Sequence, residues 1–567
     1  MVIKIDKILN KIYNLSSVAI LTFLCGLIFF PFIGEINLFD WDETLHASIS
    51  KEMFQTGHFW TPYLNGKYYL EKPPFFYWLQ IISYKYLALK EYGARFPNAV
   101  CGLLSVLLLF KLGKRFFSKF FGVVWAMLYL SLFLAQLFHK TALLEPWFNF
   151  FVFLSLYNMS RVIEMRQEQI DGLYRKSDVA RSLFWSAFAC VGAILTKGPE
   201  AYFIVVFSYW FLFLVSSAKY GLGYTNIIRW TLWVLFFIGV WGFLTYRETG
   251  SFDYILQFLS YQKNDLSIEK ASFFKRVFFH IIILIIGCFP ASIFALNSLR
   301  PQTYEPSLQK IFRLMMVGCL FVVLIIATFV KQKVVYYSSL AYLPISFLAT
   351  YSIRYIFEES KKVHYAILVL LLLLGTFWSL VIAFVPYMKG NIGLLHQFIQ
   401  DENLQIVFLK NFEWHQWELS FGVLYFGVFI LSILFILFKK YKVGIILLFF
   451  ATMYISQLVI LYYLPKIEQY TQGAYIDFVK QKSEENACFL VCSSNSYVPN
   501  FYSNNICAIS NQFEKDSMNH YRKLMQPIYV IARGKEEVDT LSLIKGLKKI
   551  YNQGNYTFFK VKQKIKK

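Results

Sequence analysis

The sequence predicts an all-α polytopic membrane protein with a C-terminal α/β soluble domain, and three observations predict it. Hydrophobic residues make up 57% of the 567 residues, charged residues 16%, and mean hydropathy is +0.48, a composition suited to lipid. Apolar runs of about 20 residues recur through the first 465 or so, each able to cross a hydrocarbon core roughly 30 Å thick. Beyond residue 465 those runs stop, and shorter strand-like and helix-like patterns replace them.

The runs number about thirteen, near 17–34, 94–113, 116–138, 142–160, 183–197, 200–217, 228–246, 277–298, 312–330, 334–353, 363–386, 418–438 and 443–463. The basic lead MVIKIDKILNKIYN resembles the start of a signal peptide. No small-residue cleavage site follows, so the first run reads as a retained helix. Lys4, Lys7 and Lys11 precede it and place the N-terminus in the cytoplasm. Alternating from there, every inward loop is basic: Arg115 with Lys119, Arg161 with Arg166, Lys219 with Arg229, Arg300 with Arg313, Arg354 with Lys362, and Lys439 with Lys442. The net charge of +22 is thereby assigned to orientation and to anionic headgroups rather than to nucleic acid.

The chain then divides into a membrane domain, 1–465, with a long outer loop at 35–93, and an outward α/β domain at 466–567. In the tail CFLVC, PIYVIA and YTFFKV read as strands and VDTLSLIKGLKKIYNQ as a helix. Five of the eight cysteines lie within spans as small apolar packing residues, and Cys488, Cys492 and Cys507 lie in the tail. An oxidising compartment permits one disulfide there, with Cys492 to Cys507 the favoured closure.

The remaining ionisable residues gather on the outer side. FDWDETLHA supplies Asp40, Asp42 and Glu43; EKPP supplies Glu71 and Lys72; HKTALLEP supplies His139, Lys140 and Glu145. LTKGPE supplies Lys197, and VKQKVVYY supplies Lys331, Lys333, Tyr336 and Tyr337. Charges at membrane depth are costly and usually face a cavity or a partner, so five clusters on one face argue for a site over scattered interfacial charges. Lysines and tyrosines there suit a phosphate group, and carboxylates suit proton transfer or a divalent cation. Acid and base beside lipid fit a substrate with its phosphate at the headgroup level and its tail in the bilayer, such as a polyprenyl phosphate sugar. Pro73 and Pro74 break the helix after Lys72, which frees both charged side chains of EKPP to line the pocket, and FFYWLQ resumes as an interfacial helix.

Asp42-Glu43 after the first span, then WTPYLNGKYYLEKPPFFYWLQ and GARFPNAV, together resemble the ArnT and protein O-mannosyltransferase superfamily of integral-membrane glycosyltransferases, whose fold is called GT-C. LTKGP and KQKVVYY recur at the expected later positions, and the outward α/β tail favours the aminoarabinose-transferase branch. The resemblance implies a glycosyltransferase of a bacterial inner membrane. It would move a sugar from an undecaprenyl phosphate donor to lipid A or a related envelope glycolipid on the periplasmic side.

It also implies roles for matching residues. Asp42 is the catalytic candidate, with Glu43 orienting its loop and Glu145 standing where relatives commonly carry an aspartate. Lys72, Lys197, Arg247, Lys263, Lys331, Lys333 and Tyr337 are donor-phosphate candidates, and Glu71 is a candidate metal ligand. No cofactor is required beyond a candidate divalent metal ion. The 247–276 loop has no His, so Arg247 or Lys263 stands in for the family's Arg, and Val335 replaces the usual proline. Protein O-glycosylation is the alternative on the same fold. A lipid-linked sugar transporter would show midplane charges and similar halves, and this sequence has neither.

Overall fold

The computed structural model describes residues 2–169, 175–217, 219–265, 273–298, 305–329, 334–358, 363–390, 414–492, 496–503, 513–514, 517–522 and 526–563. Its first part opens with α1 (Val2–Phe29), α2 (Asp42–Thr56), a hairpin of β1 (Tyr63–Leu64) and β2 (Lys67–Tyr68), and α3 (Phe75–Leu87). A bundle follows: α4 (Glu91–Phe116), α5 (Lys119–Ser131), α6 (Phe133–Phe138), α7 (Glu145–Gln169), α8 (Lys176–Lys197), α9 (Glu200–Val215) and α10 (Tyr224–Thr249). Next come α11 (Asp253–Asp265), α12 (Phe273–Gly287), α13 (Ala291–Asn297), α14 (Ser307–Phe329), a 3-10 turn (Val335–Ala341) leading into α15 (Tyr342–Glu358), α16 (Tyr365–Gly390), α17 (Gln416–Leu437) and α18 (Tyr441–Glu468).

Every expected apolar run falls on helix. Among the described residues eight helices are long and apolar enough to cross a membrane, or nine if α12 and α13, bent by 112°, form one span. Part of α1, together with α5 and α9, is apolar but shorter, and α7 completes the set of expected segments. The exposed surface carries Phe23, Trp210, Phe236, Leu373 and Leu424, as lipid-facing helices require.

Charges sort to the two ends of the bundle. At one end Arg115 pairs with Glu164 at 3.1 Å and Arg313 with Glu305 at 3.0 Å. At the other lie Arg95, Glu145 and Lys197 with the first loop. Arg115 and Arg313 thus lie at the opposite end of the bundle from Arg95, Glu145 and Lys197.

The tail begins with α19 (Ala474–Ser483), continuous with α18 through a π-turn at Gln469–Gly473. Strands β3 (Cys488–Val491), β4 (Ile528–Arg533), β5 (Leu547–Gln553) and β6 (Tyr556–Val561) form one sheet in the order β3-β4-β6-β5. β3 runs parallel to β4, and the other pairs are antiparallel. The helix expected over 538–553 is only half correct: helix ends at Ser542 and LKKIYNQ is strand β5. That strand is solvated on both faces, so it lacks the alternation that marks a half-buried strand. Its lysines Lys548 and Lys549 suit a sheet edge.

The disulfide expectation is also corrected. Cys488 is disulfide-bonded and Cys492 is a free thiol, while Cys507 lies outside the described residues. Cys488 heads a fully buried strand, whereas Cys492 follows its last residue.

Candidate active site

The first loop is shaped by its turns. Asn65 and Gly66 take φ of 55° and 71°, the paired left-handed backbone of a two-residue hairpin turn that favours Asn-Gly. The Glu52 carboxylate accepts from both turn amides, at 2.7 and 2.8 Å. Pro73 and Pro74 end the extended stretch, and α3 restarts at Phe75 with Pro74 before it. Glu71 is thereby exposed and Lys72 half-buried. Tyr69 Oη donates to Glu71 Oε2 at 3.1 Å, and Gln262 of α11 donates to the Glu71 carbonyl at 2.9 Å.

Asp42 is the first residue of α2, where unpaired amides and the helix dipole favour an anion. The preceding Trp41 holds φ at 79°, a costly backbone for a bulky residue that marks a constrained turn. Tyr336 Oη donates to Asp42 Oδ2 at 2.8 Å. Burial raises the Asp42 carboxyl above the usual aspartate range, opposed by the Tyr336 hydrogen bond and by the Lys72 charge. Asp42 thus sits in one electrostatic neighbourhood with Lys72 and Glu71.

Glu43 points elsewhere. Its carboxylate pairs with Arg95 at 2.6 Å, both side chains being under 5% exposed, and accepts from the amides of Phe39 at 2.9 Å and Ala142 at 2.6 Å. Arg95 also donates to the carbonyls of Ile33, Ile36 and Asn37 at 3.0, 2.6 and 2.9 Å. Glu43 therefore ties the first loop to the bundle.

Glu145 and Lys197 do meet, with Nζ–Oε1 at 3.3 Å. Lys197 lies equally close to Glu200, at 3.3 Å, and its ammonium sits 4.5 Å from the centre of the Tyr337 ring. The break between α8 and α9 makes this cluster: Gly198 adopts φ 135°, so Lys197 ends one helix while Glu200 opens the next. A cleft of about 320 Å³ is lined by Lys197, Glu200, Tyr337, Phe148 and Ile204. Two carboxylates pair with Lys197, which anchors Glu145 while lining the cleft. Tyr337 remains at the cleft wall.

Arg247 and Lys263 are exposed, and among the described residues no hydrogen bond or ion pair joins either to the Asp42 cluster. Their neighbours make the contacts instead: Glu248 accepts from the amides of Phe59 and Trp60 at 2.6 and 3.1 Å, and Gln262 holds Glu71. Lys331 and Lys333 lie outside the described residues. Among the described residues no three His, Cys, Asp or Glu side chains converge to hold a metal. No step below is routed through a metal ion.

Three further residues, to which the sequence assigns no individual role, make the contacts that hold this cluster. Tyr336 was visible in KQKVVYY, Glu200 in LTKGPE and Arg95 in GARFPNAV, but one-dimensional spacing does not say which of two adjacent tyrosines faces Asp42.

The whole fold can be compared with solved structures. ArnT from Cupriavidus metallidurans, in a crystal structure bound to undecaprenyl phosphate, superposes with a TM-score of 0.68 over 97% of this chain and 98% of that one, at 16% identity. The chain has an ArnT-like GT-C fold. The sequence also matches the family described as Dolichyl-phosphate-mannose-protein mannosyltransferase over residues 19–255, the part of the ArnT-like fold that holds Asp42, Lys72, Glu145 and Lys197. An uncharacterized protein of Aquifex aeolicus is 31% identical over 214 residues, 36% of this chain and 40% of the relative. An undecaprenyl phosphate-alpha-4-amino-4-deoxy-L-arabinose arabinosyl transferase of Pseudomonas fluorescens is 30% identical over 177 residues, 31% of this chain and 30% of the relative. These matches span less than half of the curated relatives' own length.

Proposed function

We propose that the chain is a glycosyltransferase of a bacterial inner membrane that moves a sugar from undecaprenyl phosphate to lipid A or a related envelope glycolipid on the periplasmic side. The observation that carries it is the placement of Asp42 at a helix start, hydrogen-bonded to Tyr336, with Lys72 alongside and the Lys197–Tyr337 cleft at the same end of the bundle. The names of the sequence relatives and of the ArnT structure support the donor and the acceptor. A disulfide in the tail supports an oxidising compartment for that end of the molecule.

The reaction is displacement at the anomeric carbon with polyprenyl phosphate leaving. Lys72 stabilises the charge that develops on the leaving oxygen, and Tyr337 offers a hydroxyl at the cleft wall. Asp42 orients the acceptor, or takes its proton when the acceptor is a hydroxyl. A phosphate acceptor, with its second pKa at about 6, is ionised near neutral pH and attacks unaided.

Protein O-glycosylation is a second reading, favoured by the mannosyltransferase family match over residues 19–255. Mass spectrometry of lipid A and of envelope proteins from cells with and without the gene tests both. A pentosamine or hexose mass on lipid A is the expected result; the mass on protein alone selects the second reading; no change in either sinks both.

A further inference from the structure

One short segment of the tail, residues 497–503, is anchored mainly on the first loop. The Tyr497 N–H donates to Asp40 Oδ1 at 3.1 Å, and its carbonyl accepts from Ser48 Oγ at 3.4 Å. Asn500 donates to Asn65 Oδ1 at 2.6 Å, and Tyr502 Oη accepts from the Leu38 amide at 2.7 Å. Lys51 Nζ donates to the carbonyls of Asn500, Phe501 and Ser503 at 3.1, 2.9 and 2.7 Å.

These bonds fix where the Tyr497 ring goes. It packs on the apolar cluster that contains Leu45, Ile49, Met53, Tyr69 and Tyr77. On α2, Asp42, Leu45, Ile49 and Met53 recur at helical spacing and so share one face. The ring therefore lies on the Asp42 face of α2. Among the described residues its hydroxyl has no hydrogen-bond partner. Burial and the nearby charges of Glu71, Asp40 and Asp42 push the phenol above its usual range, which keeps it a proton-bearing donor at neutral pH.

We infer that Tyr497 is an acceptor-positioning residue, a phenol that the soluble domain holds over the Asp42 and Glu71 side of the pocket to hydrogen-bond an acceptor oxygen. The assignment rests on the transferase reading. Lys72 and Tyr337 belong to the membrane bundle and its first loop and serve the donor phosphate, whereas Tyr497 reaches the site from the domain outside the bundle, the side from which a hydroxyl or phosphate oxygen of an acceptor arrives. Tyr497 itself lies in no motif that local sequence would flag.

The test uses the full chain in lipid nanodiscs with undecaprenyl phosphate-linked 4-amino-4-deoxy-L-arabinose as donor and lipid A as acceptor, and with undecaprenyl phosphate alone as a binding probe. Tyr497→Phe keeps the ring and removes the hydroxyl. It should raise the acceptor KM about three- to tenfold, the loss of one hydrogen bond, while donor KM and undecaprenyl phosphate binding stay at wild-type values. Tyr497→Ala should raise acceptor KM further; if it does not fold, the Phe variant carries the test alone. An acceptor KM unchanged in Tyr497→Phe, or a donor KM that moves equally, overturns the inference while the wild-type transfer leaves the transferase reading intact. A wild type that binds undecaprenyl phosphate but transfers no sugar to lipid A or to a serine-bearing peptide refutes both together.

Discussion

Tyr336→Phe removes one hydroxyl and leaves the ring that packs beside Tyr337. In the structure that hydroxyl donates to Asp42 Oδ2 at 2.8 Å. A hydrogen bond to an ionised carboxylate contributes about 1.5–3 kcal/mol, which converts to roughly a tenfold to hundredfold fall in kcat/KM if the carboxylate must be ionised in the transition state. The sign with pH follows. Burial already raises the Asp42 carboxyl, and the tyrosine is the largest influence lowering it, so its removal raises the carboxyl further. Less of Asp42 is then ionised at any given pH, and the acid limb of the kcat/KM profile moves to higher pH. The loss should be largest at the acid end and shrink as pH rises. Transfer kinetics on the purified protein across the acid and neutral range would measure this. A Tyr336→Phe profile that overlays the wild type, or falls uniformly with no displacement of the acid limb, would refute the role given to the Tyr336–Asp42 bond.

Asp42→Asn separates the two acceptor classes: transfer to a hydroxyl acceptor should be abolished and transfer to a phosphate acceptor only reduced, both read by product mass spectrometry. Equal, small effects on the two would remove Asp42 from the mechanism. Arg95→Met leaves the buried Glu43 carboxylate without its cation and should destabilise the fold by about 3–5 kcal/mol, seen as a lower unfolding temperature in detergent. Lys197→Met should destabilise similarly by stranding Glu145, and adding Glu145→Gln should restore much of the loss, a coupling that a double-mutant cycle measures. Lys51→Met strips three carbonyls of their donor, so amide hydrogen exchange over 496–503 should accelerate while the α4 and α7 core stays protected.

The helical bundle was legible because lipid enforces it: a backbone with no water to satisfy it must be helical wherever the side chains are apolar. Asp42, Lys72, Glu145 and Lys197 were legible too, since charges beside apolar runs are conspicuous. Their pairings were not. Glu43 and Asp42 are adjacent in sequence, yet the helical turn sends one to Arg95 and the other to Tyr336, 52 and 294 positions away. Lys197 reads as a free cation until Glu145 and Glu200 are both found at 3.3 Å.

The tail shows why sequence distance misleads most where a site draws on two domains. Its sheet core, built on Phe489, Tyr529 and Phe558, could be read from short apolar runs, except for the solvated edge strand β5. Its contacts with the first loop could not, because most run from backbone groups of residues 497–503 to Asp40, Ser48 and Lys51, the Tyr502 hydroxyl on the Leu38 amide being a side-chain exception. Backbone amides and carbonyls are the same at every position, so such contacts leave little trace in residue type on the tail side. On the loop side they leave buried polar residues in helix α2, Ser48 and Lys51 among them. A buried lysine requires hydrogen-bond acceptors, and among the described residues α2 itself offers none to the Lys51 ammonium. In the structure Lys51 meets that requirement with three tail carbonyls, which joins the tail to the first loop.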